Sequence, residues 1–560
     1  METVASTLSS TLSSSWEALH AHPVAGVACT WLAWALAQPV VVGLQRVLLA
    51  LFFFRLLRQL VRLATNADAR SAALGAVLRS VRGMPGLAGV VAAEQAKTLK
   101  EIEAVVLGET SDAMQALPVY TSLPPSGLPL AEIESTMAVL TSEQKMYEGK
   151  KAFGGIYHEA GGKVSKATMA AYQAFTYSNA LYPMLFPGLR KFEAEVVAMS
   201  ASMMCGGPEA CGTMTSGGTE SLIMAIKTYR DMALATRGIT APELVIPLSA
   251  HPALNKGAHL LGVKLVVVPL GPDFRADVSA FAAALSSNTI MAVASAPGYP
   301  HGVIDPVEEM AAIAADRGIP LHVDTCLGGY LLPFLKAEGR LGPNFDFSVP
   351  GVTSMSADLH KYGCAHKGAS VILYASPEIR KHQYFQATTW PGGLYCSPSF
   401  AGSRPGGTIA AAWAAMVAQG WDGYVAAANE IHDAFEALVD GINAIDGLRV
   451  LGEPDAAVIA FDSDDPAVNI LQVADEMTAR KWDLTRLIKP TCVHWMIGGR
   501  QTDLVEPMLA DLRESVAEAR AHPERASEGM AGIYGMAGTI PDRTVVDELL
   551  TGFMDIILKP

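Results

Sequence analysis

The chain has 560 residues, half of them hydrophobic and 17% charged, with a formal net charge of −14. That length calls for two or three domains, and that composition excludes a mainly disordered chain. The acidity argues against nucleic acid as a partner, because phosphate binding needs a basic face. The seven cysteines, at 29, 205, 211, 326, 364, 396 and 492, are odd in number and contain no Cys-x-x-Cys pair. They fit a reduced compartment better than a disulfide framework or a zinc site, and no metal is expected.

Residues 23–45 carry no charge, and the run Val24-Ala25-Gly26-Val27-Ala28-Cys29-Thr30-Trp31-Leu32-Ala33-Trp34 is almost entirely apolar. About 20 such residues cross a bilayer as a helix, and a proline such as Pro39 is tolerated there. No Lys or Arg precedes Arg46, after which Arg55, Arg58 and Arg62 follow in quick succession. The positive-inside rule then predicts a single-pass anchor within residues 1–65, with a lumenal or exterior N-terminus and the rest of the chain in the cytosol. A cleaved signal peptide would need a basic n-region, which is absent. A buried core helix sits poorly beside the arginine cluster, and the second apolar run, 47–54, is short for a return span and reads as an interfacial continuation. Residues 66–140 read as connecting helices and linker, punctuated by Leu117-Pro118 and Pro124-Pro125-Ser126-Gly127-Leu128-Pro129.

From 141 to 407 short apolar runs alternate with Ala-rich amphipathic stretches. Strands are expected at 244–248, 264–268, 290–294 and 320–324, and helices at 278–285 and 307–315. Continuous apolar strands separated by helices indicate a parallel sheet covered on both faces, which keeps its ligands at the carboxyl ends of the strands. Four polar clusters fall at such ends. Thr215-Ser216-Gly217-Gly218-Thr219-Glu220 precedes a helical run, where backbone amides can cradle a phosphate, although a Gly-Gly-Thr turn alone is a weak signal. His251, in Ala250-His251-Pro252, could stack on an aromatic ring or be a structural histidine. Asp324 ends a buried strand, where a carboxylate needs a cationic partner such as a protonated pyridine nitrogen. Lys361, in Ser356-Ala357-Asp358-Leu359-His360-Lys361-Tyr362-Gly363, is an amine placed for a Schiff base, which requires a tuned pKa. Together these indicate pyridoxal 5'-phosphate on an α/β aspartate aminotransferase-like scaffold (fold type I).

At this point a family emerges. The segments Leu185-Phe186-Pro187-Gly188-Leu189-Arg190-Lys191, Pro300-His301-Gly302-Val303-Ile304-Asp305-Pro306, His322-Val323-Asp324, His360-Lys361-Tyr362-Gly363, Gly402-Ser403-Arg404-Pro405-Gly406-Gly407 and Ile533-Tyr534-Gly535-Met536-Ala537 resemble the sphingosine-1-phosphate lyases, in the group II decarboxylase branch of pyridoxal-phosphate enzymes. The resemblance runs from about residue 149 to about 547. It implies retro-aldol cleavage of the C2–C3 bond of phosphorylated sphingoid bases to a fatty aldehyde and phosphoethanolamine. It also implies a homodimer with shared sites and a single-pass endoplasmic-reticulum anchor. By resemblance Lys361 carries the cofactor, Asp324 pairs with its ring nitrogen and His251 stacks on the ring. Gly217, Gly218, Thr219 and His360 meet its phosphate, with Ser403 reaching the neighbouring subunit's site. Tyr157, Lys367 and Tyr395 line the substrate side, and the base for the C3 hydroxyl is Tyr157, Tyr182 or a phosphate oxygen. The rival reading is an amino-acid decarboxylase of the same fold.

Three positions depart from the family pattern near the substrate: Tyr182 where a histidine is expected, Cys364 for a tyrosine and His366 for a proline. Cysteine is a much poorer hydrogen-bond donor than tyrosine. From 408 to 560 an Ala-rich helix to about 442, strand-like 457–461 and 482–484, and a helix over 503–520 suggest a small α+β domain packed on the large one.

Overall fold

The structure is a computed structural model that describes residues 87–108, 111–144, 149–153, 155–158, 161–527, 531 and 543–559. The expected anchor, within 1–65, lies outside the described residues, as does the 533–537 motif. Among the described residues no helix is long and apolar enough to cross a membrane. The chain forms two compact units, one from residues up to 143 together with those from 539, the other from 144–538.

The second unit holds a seven-stranded sheet. Its strands are β1 (Cys211–Thr215), β2 (Glu243–Pro247), β3 (Lys264–Val268), β4 (Thr289–Ser295), β5 (Leu321–Asp324), β6 (Val352–Ala357) and β7 (Ser370–Tyr374), in the spatial order β1-β7-β6-β5-β4-β2-β3. The five strands β3, β2, β4, β5 and β6 run parallel, whereas β7 is antiparallel to both of its neighbours. The sheet is thus mostly parallel, with one reversed strand that the apolar pattern did not predict. The central strands β4, β5 and β7 are buried along their whole length, as a sheet sandwiched between helices requires. Edge strand β3 is exposed at Lys264 and Val267. The expected strands at 244–248, 264–268, 290–294 and 320–324 coincide with β2 to β5, and the expected helices with Val278–Ala284 and Val307–Asp316.

A two-stranded ribbon, β8 (Phe385–Ala387) with β9 (Tyr395–Ser397), leads into the helix Gly406–Asn443. That helix breaks at Gly420, whose φ of 66° suits a residue without a β-carbon. Four antiparallel strands follow, β10 (Leu448–Val450), β11 (Val458–Ser463), β12 (Thr485–Ile488) and β13 (Thr491–Met496), in the order β10-β11-β13-β12. The helix Ile470–Ala479 packs on β13 and on the helix Val505–Ala521. Trp482 lies just outside β12: it is fully buried, and its Nε1 donates to Asp511 Oδ2 at 2.6 Å. Its bulk serves the core of this layer instead of a strand.

In the first unit the helices Leu87–Gly108 and Arg543–Ile557 pair closely. A β-carbon on Gly552 would lie 2.6 Å from Leu99 Cδ2, so glycine sets their spacing. Gln95 donates to Glu548 at 2.7 Å and Lys559 to Glu103 at 2.6 Å.

Candidate active site

Register places three polar residues side by side at the carboxyl edge of the sheet: Ser295 of β4 pairs with Asp324 of β5, which pairs with Ser356 of β6. Asp324 is 7% exposed, and its Oδ1 accepts from the Cys326 amide at 3.0 Å and from Ser356 Oγ at 3.4 Å. Ser356 Oγ also lies 3.2 Å from both Cys326 Sγ and His322 Nε2, and His322 Nδ1 lies 2.8 Å from Ser354 Oγ. Burial pushes the His322 imidazole down to about 4, so it is neutral at physiological pH and brings no charge to Asp324. Among the described residues Asp324 forms no ion pair. A buried, orientationally fixed carboxylate without a cation is costly unless something cationic is brought to it.

Lys361 lies just beyond β6, in a turn whose 361 amide donates to the 358 carbonyl. Its Nζ is 3.0 Å from Oδ2 of Asp358, a carboxylate that is only 2% exposed. Burial works to lower the Lys361 pKa, but Asp358, with Cys326 and Tyr157 adding to it, outweighs burial and holds the ammonium well above the usual lysine range. His360 Nε2 lies 3.5 Å from the same Asp358 oxygen, while its Nδ1 accepts from the Ala369 amide at 3.2 Å. Directly above this pair the helix Gly218–Arg237 begins. A β-carbon on Gly218 would fall 2.8 and 2.9 Å from the two Asp358 oxygens and 2.8 Å from Cys326 Sγ; one on Gly217 would lie 3.5 Å from the His360 ring. The helix start therefore approaches the lysine turn so closely at Gly218 that a β-carbon there would clash, with its free amides and dipole favouring negative charge.

Tyr157, His251, Ser295, Pro297, Tyr299, Asp324, Cys326, Leu327 and Lys361 line one cavity of about 250 Å³. Four of the predicted residues, Lys361, Asp324, His251 and Tyr157, thus meet in one space although they span 157 to 361 in the sequence. His251 Nδ1 accepts from the Ala253 amide at 3.1 Å, which fixes the ring in its loop after β2. Tyr157 is buried edge-on against Phe153 and Tyr362, and burial raises its phenol above the usual tyrosine range. The Lys367 ammonium sits 5.0 Å from the Tyr157 ring centroid and donates to the carbonyls of Gly155 and His360. Burial, with help from the Lys361 charge, lowers its pKa to about 8.

The remaining predicted residues lie outside this lining. Thr219 is exposed at the helix start. Ser403 Oγ accepts from Asn179 Nδ2 at 3.0 Å, and Tyr395 lies beside Gly402, where a β-carbon would sit 3.3 Å from its hydroxyl. Tyr182 is 55% exposed in the loop that includes Asn179. Arg404, of the same motif as Ser403, is buried and forks onto Glu193, which also accepts from the Met214 amide at the start of the phosphate-type turn. Cys364 has φ of 59°, and burial pushes its thiol up to about 12; His366 Nε2 lies 3.1 Å from Thr168 Oγ1. Sequence reasoning missed Asp358, Cys326 and Ser356. The signal for Asp358 was available: a carboxylate three residues before a lysine in a tight turn can reach its amine.

The fit to pyridoxal phosphate rests on these observations. Asp324 is a carboxylate that lacks a cation, Lys361 shares its cavity, and Gly217 and Gly218 leave the helix start open. Gly218→Ala is therefore expected to force the Asp358 carboxylate or Cys326 aside, at about 1–3 kcal/mol of stability. It should also weaken cofactor affinity by ~10-fold or more, read by absorbance titration. Unchanged affinity would show that the close approach at Gly218 is not part of the site.

The model of the pyridoxal-dependent decarboxylase conserved domain matches residues 179–463, which include the whole seven-stranded sheet and the helices between its strands. The chain therefore has the decarboxylase-type α/β fold of the pyridoxal-phosphate-dependent enzymes. A glutamate decarboxylase of Lactobacillus brevis, 17% identical, shares that fold with a TM-score of 0.63 over 73% of this chain and 97% of its own. Closer likeness is to lyases. Sphingosine-1-phosphate lyase of Oryza sativa subsp. japonica is 41% identical over 91% of this chain and 94% of its own, and sphingosine-1-phosphate lyase 1 of Rattus norvegicus is 44% identical over 78% and 76%. The structure of the Burkholderia pseudomallei sphingosine-1-phosphate lyase matches with a TM-score of 0.70 at 38% identity, over 74% of this chain and 97% of its own. The chain belongs to the sphingosine-1-phosphate lyase family.

Proposed function

We propose that this protein is a pyridoxal-phosphate-dependent carbon–carbon lyase of sphingolipid metabolism. It cleaves the C2–C3 bond of sphingosine 1-phosphate and related phosphorylated sphingoid bases to a long-chain fatty aldehyde and phosphoethanolamine. The observation that carries the reading is the convergence of Lys361, Asp324 and His251 on one cavity at the carboxyl edge of the sheet, in a chain 41% identical to a named lyase over 91% of its length.

Bound there, pyridoxal phosphate supplies an electron sink for breaking the C2–C3 bond of an amino alcohol. Lys361 would hold it through Nζ, Asp324 would keep the proton on its ring nitrogen and His251 would lie against the ring. Gly217, Gly218, Thr219 and His360 would meet its phosphate, with Ser403 serving the neighbouring subunit. Tyr157 is protonated at neutral pH, so it is a donor to the substrate's oxygens in its resting state and becomes a base only when a proton acceptor relieves it. Lys367, whose ammonium lies over the Tyr157 ring just outside the cavity lining and has its pKa lowered to about 8, offers a charge to the substrate phosphate, with Tyr395 and Tyr182 as further donors. Leu327, Pro297 and Tyr299 wall the cavity and limit water around the reacting bond.

Mass spectrometry of products from sphingosine 1-phosphate and dihydrosphingosine 1-phosphate should find the aldehyde and phosphoethanolamine. Carbon dioxide release from amino acids without these products would favour the decarboxylase reading instead.

The protein is further proposed to sit in the endoplasmic-reticulum membrane through residues 1–65, with a lumenal N-terminus and a cytosolic body. The uncharged run over 23–45, closed by arginines, supports this, and an amphiphilic substrate makes tethering useful. A protein that leaves membranes under a carbonate wash would count against it. A homodimer is supported by the apolar side chains Tyr177, Met184, Leu185 and Leu394, all highly exposed on loops beside Ser403. Light scattering on the detergent-solubilised enzyme would expose a monomer.

A further inference from the structure

Asp324 lines the cavity and Asp358 is buried against the cavity's lysine, and the two carboxylates are placed oppositely. Asp324 has no cation, whereas Asp358 has one, the Lys361 ammonium at 3.0 Å. Asp358 Oδ1 is buried with no hydrogen-bond partner, so the carboxylate is held by the lysine and, at 3.5 Å, by His360, and by little else. The groups around the pair are Asp324 at the end of β5 and Cys326 just after it, Tyr157, Tyr330, and His360 and Lys367 on the lysine's own turn. Burial raises the Cys326 thiol and the two phenols and lowers His360, so all four are neutral at physiological pH. Asp358 is then the anion that answers Lys361.

The balance of the exchange reaction shows why this matters. An incoming substrate enters as an ammonium and gives up two protons as its nitrogen forms the double bond to the cofactor carbon. The double bond from that carbon to Lys361 Nζ breaks, and Nζ takes up those two protons. One ammonium is consumed and one, on Lys361, is produced, inside a buried site where an unpaired cation is costly. We propose that Asp358 is a positioning residue that receives the displaced Lys361 ammonium, and so drives exchange of the enzyme's amine for the substrate's. Gly218, by leaving room for the carboxylate under the helix start, is what permits it there.

The inference rests on Lys361 being the cofactor's lysine, and one experiment separates the two. The holoenzyme is titrated with methylamine, a primary amine with no bond to cleave, then reduced with borohydride, and the cofactor left on each lysine is quantified by peptide mapping. If unchallenged wild type carries its reduced cofactor on a lysine other than 361, the assignment of Lys361 fails. If the label is on Lys361, wild type should give a half-displacement concentration that is flat across neutral pH, because an ammonium replaces an ammonium. In Asp358→Asn that concentration should rise by ~10-fold or more, as expected for losing an opposite charge at contact distance. It should also fall as pH rises, because the displaced lysine now leaves neutral and releases a proton. Asp358→Glu should restore part of the wild-type affinity. An Asp358→Asn enzyme that titrates like wild type overturns the inference. So does a wild-type concentration that itself falls about tenfold per pH unit, a result that needs no variant.

Discussion

Replacing Lys361 with alanine is expected to abolish turnover, by at least about 10³-fold, and to eliminate borohydride-fixable cofactor. The same change strands Asp358, which is 2% exposed and loses its only ammonium partner among the described residues, so it should also lower stability by about 3–5 kcal/mol. The two effects can be separated. Lys361→Arg keeps a cation beside Asp358 but cannot form the carbon–nitrogen double bond, so it should be as inactive as the alanine variant while melting closer to wild type. Turnover of sphingosine 1-phosphate by either variant above a thousandth of the wild-type rate would remove Lys361 from the chemistry. Equal melting temperatures for the alanine and arginine variants would remove Asp358 from its role as the ammonium's counter-charge.

The parallel core of the fold was legible because its strands are buried on both faces and so read as unbroken apolar runs. Ile290-Met291-Ala292-Val293-Ala294 is a strand in the sequence and in the structure for the same reason. The reversal of β7 was not legible. Ser370–Tyr374 is as apolar as its neighbours, and the direction of a strand is set by how the chain returns to it. Here residues 358–369 return without a helix, as a turn that carries Lys361, so the strand comes back beside β6 in the opposite sense. The site divides along the same line. Asp324 and Lys361 were identifiable because each lies at or just past a strand end, next to a glycine-rich or basic motif. Asp358 lies within the same quoted stretch, but its burial and its reach to Lys361 depend on the approach of Gly218 from 140 residues upstream, which no local pattern encodes. The pairing of the helices Leu87–Gly108 and Arg543–Ile557 was invisible for the same reason: their contact is purely long-range. For Tyr182 the sequence argument came through its departure from the family pattern, and its side chain is 55% exposed.

Asp324→Asn should separate catalysis from stability in the opposite way. The substitution keeps the side chain's size and an oxygen to accept from the Cys326 amide at 3.0 Å, while removing a buried charge that has no cation among the described residues. An uncompensated buried charge works against folding, so the cofactor-free variant should be at least as stable as wild type. With cofactor the sign reverses. On the proposed assignment the ring nitrogen would lose the carboxylate that keeps it protonated, and breaking such a buried pair is worth about 3–5 kcal/mol, or ~10²–10⁴-fold in rate at 1.36 kcal/mol per decade. The loss should fall on kcat more than on KM, because the charge is needed when electrons flow into the ring and not when the substrate binds. Thermal melts with and without cofactor, set beside steady-state kinetics, test both halves. A variant that loses stability and rate together would make Asp324 a structural residue of the β5 edge. One that keeps more than a tenth of wild-type kcat would mean that some other group holds the ring nitrogen's proton.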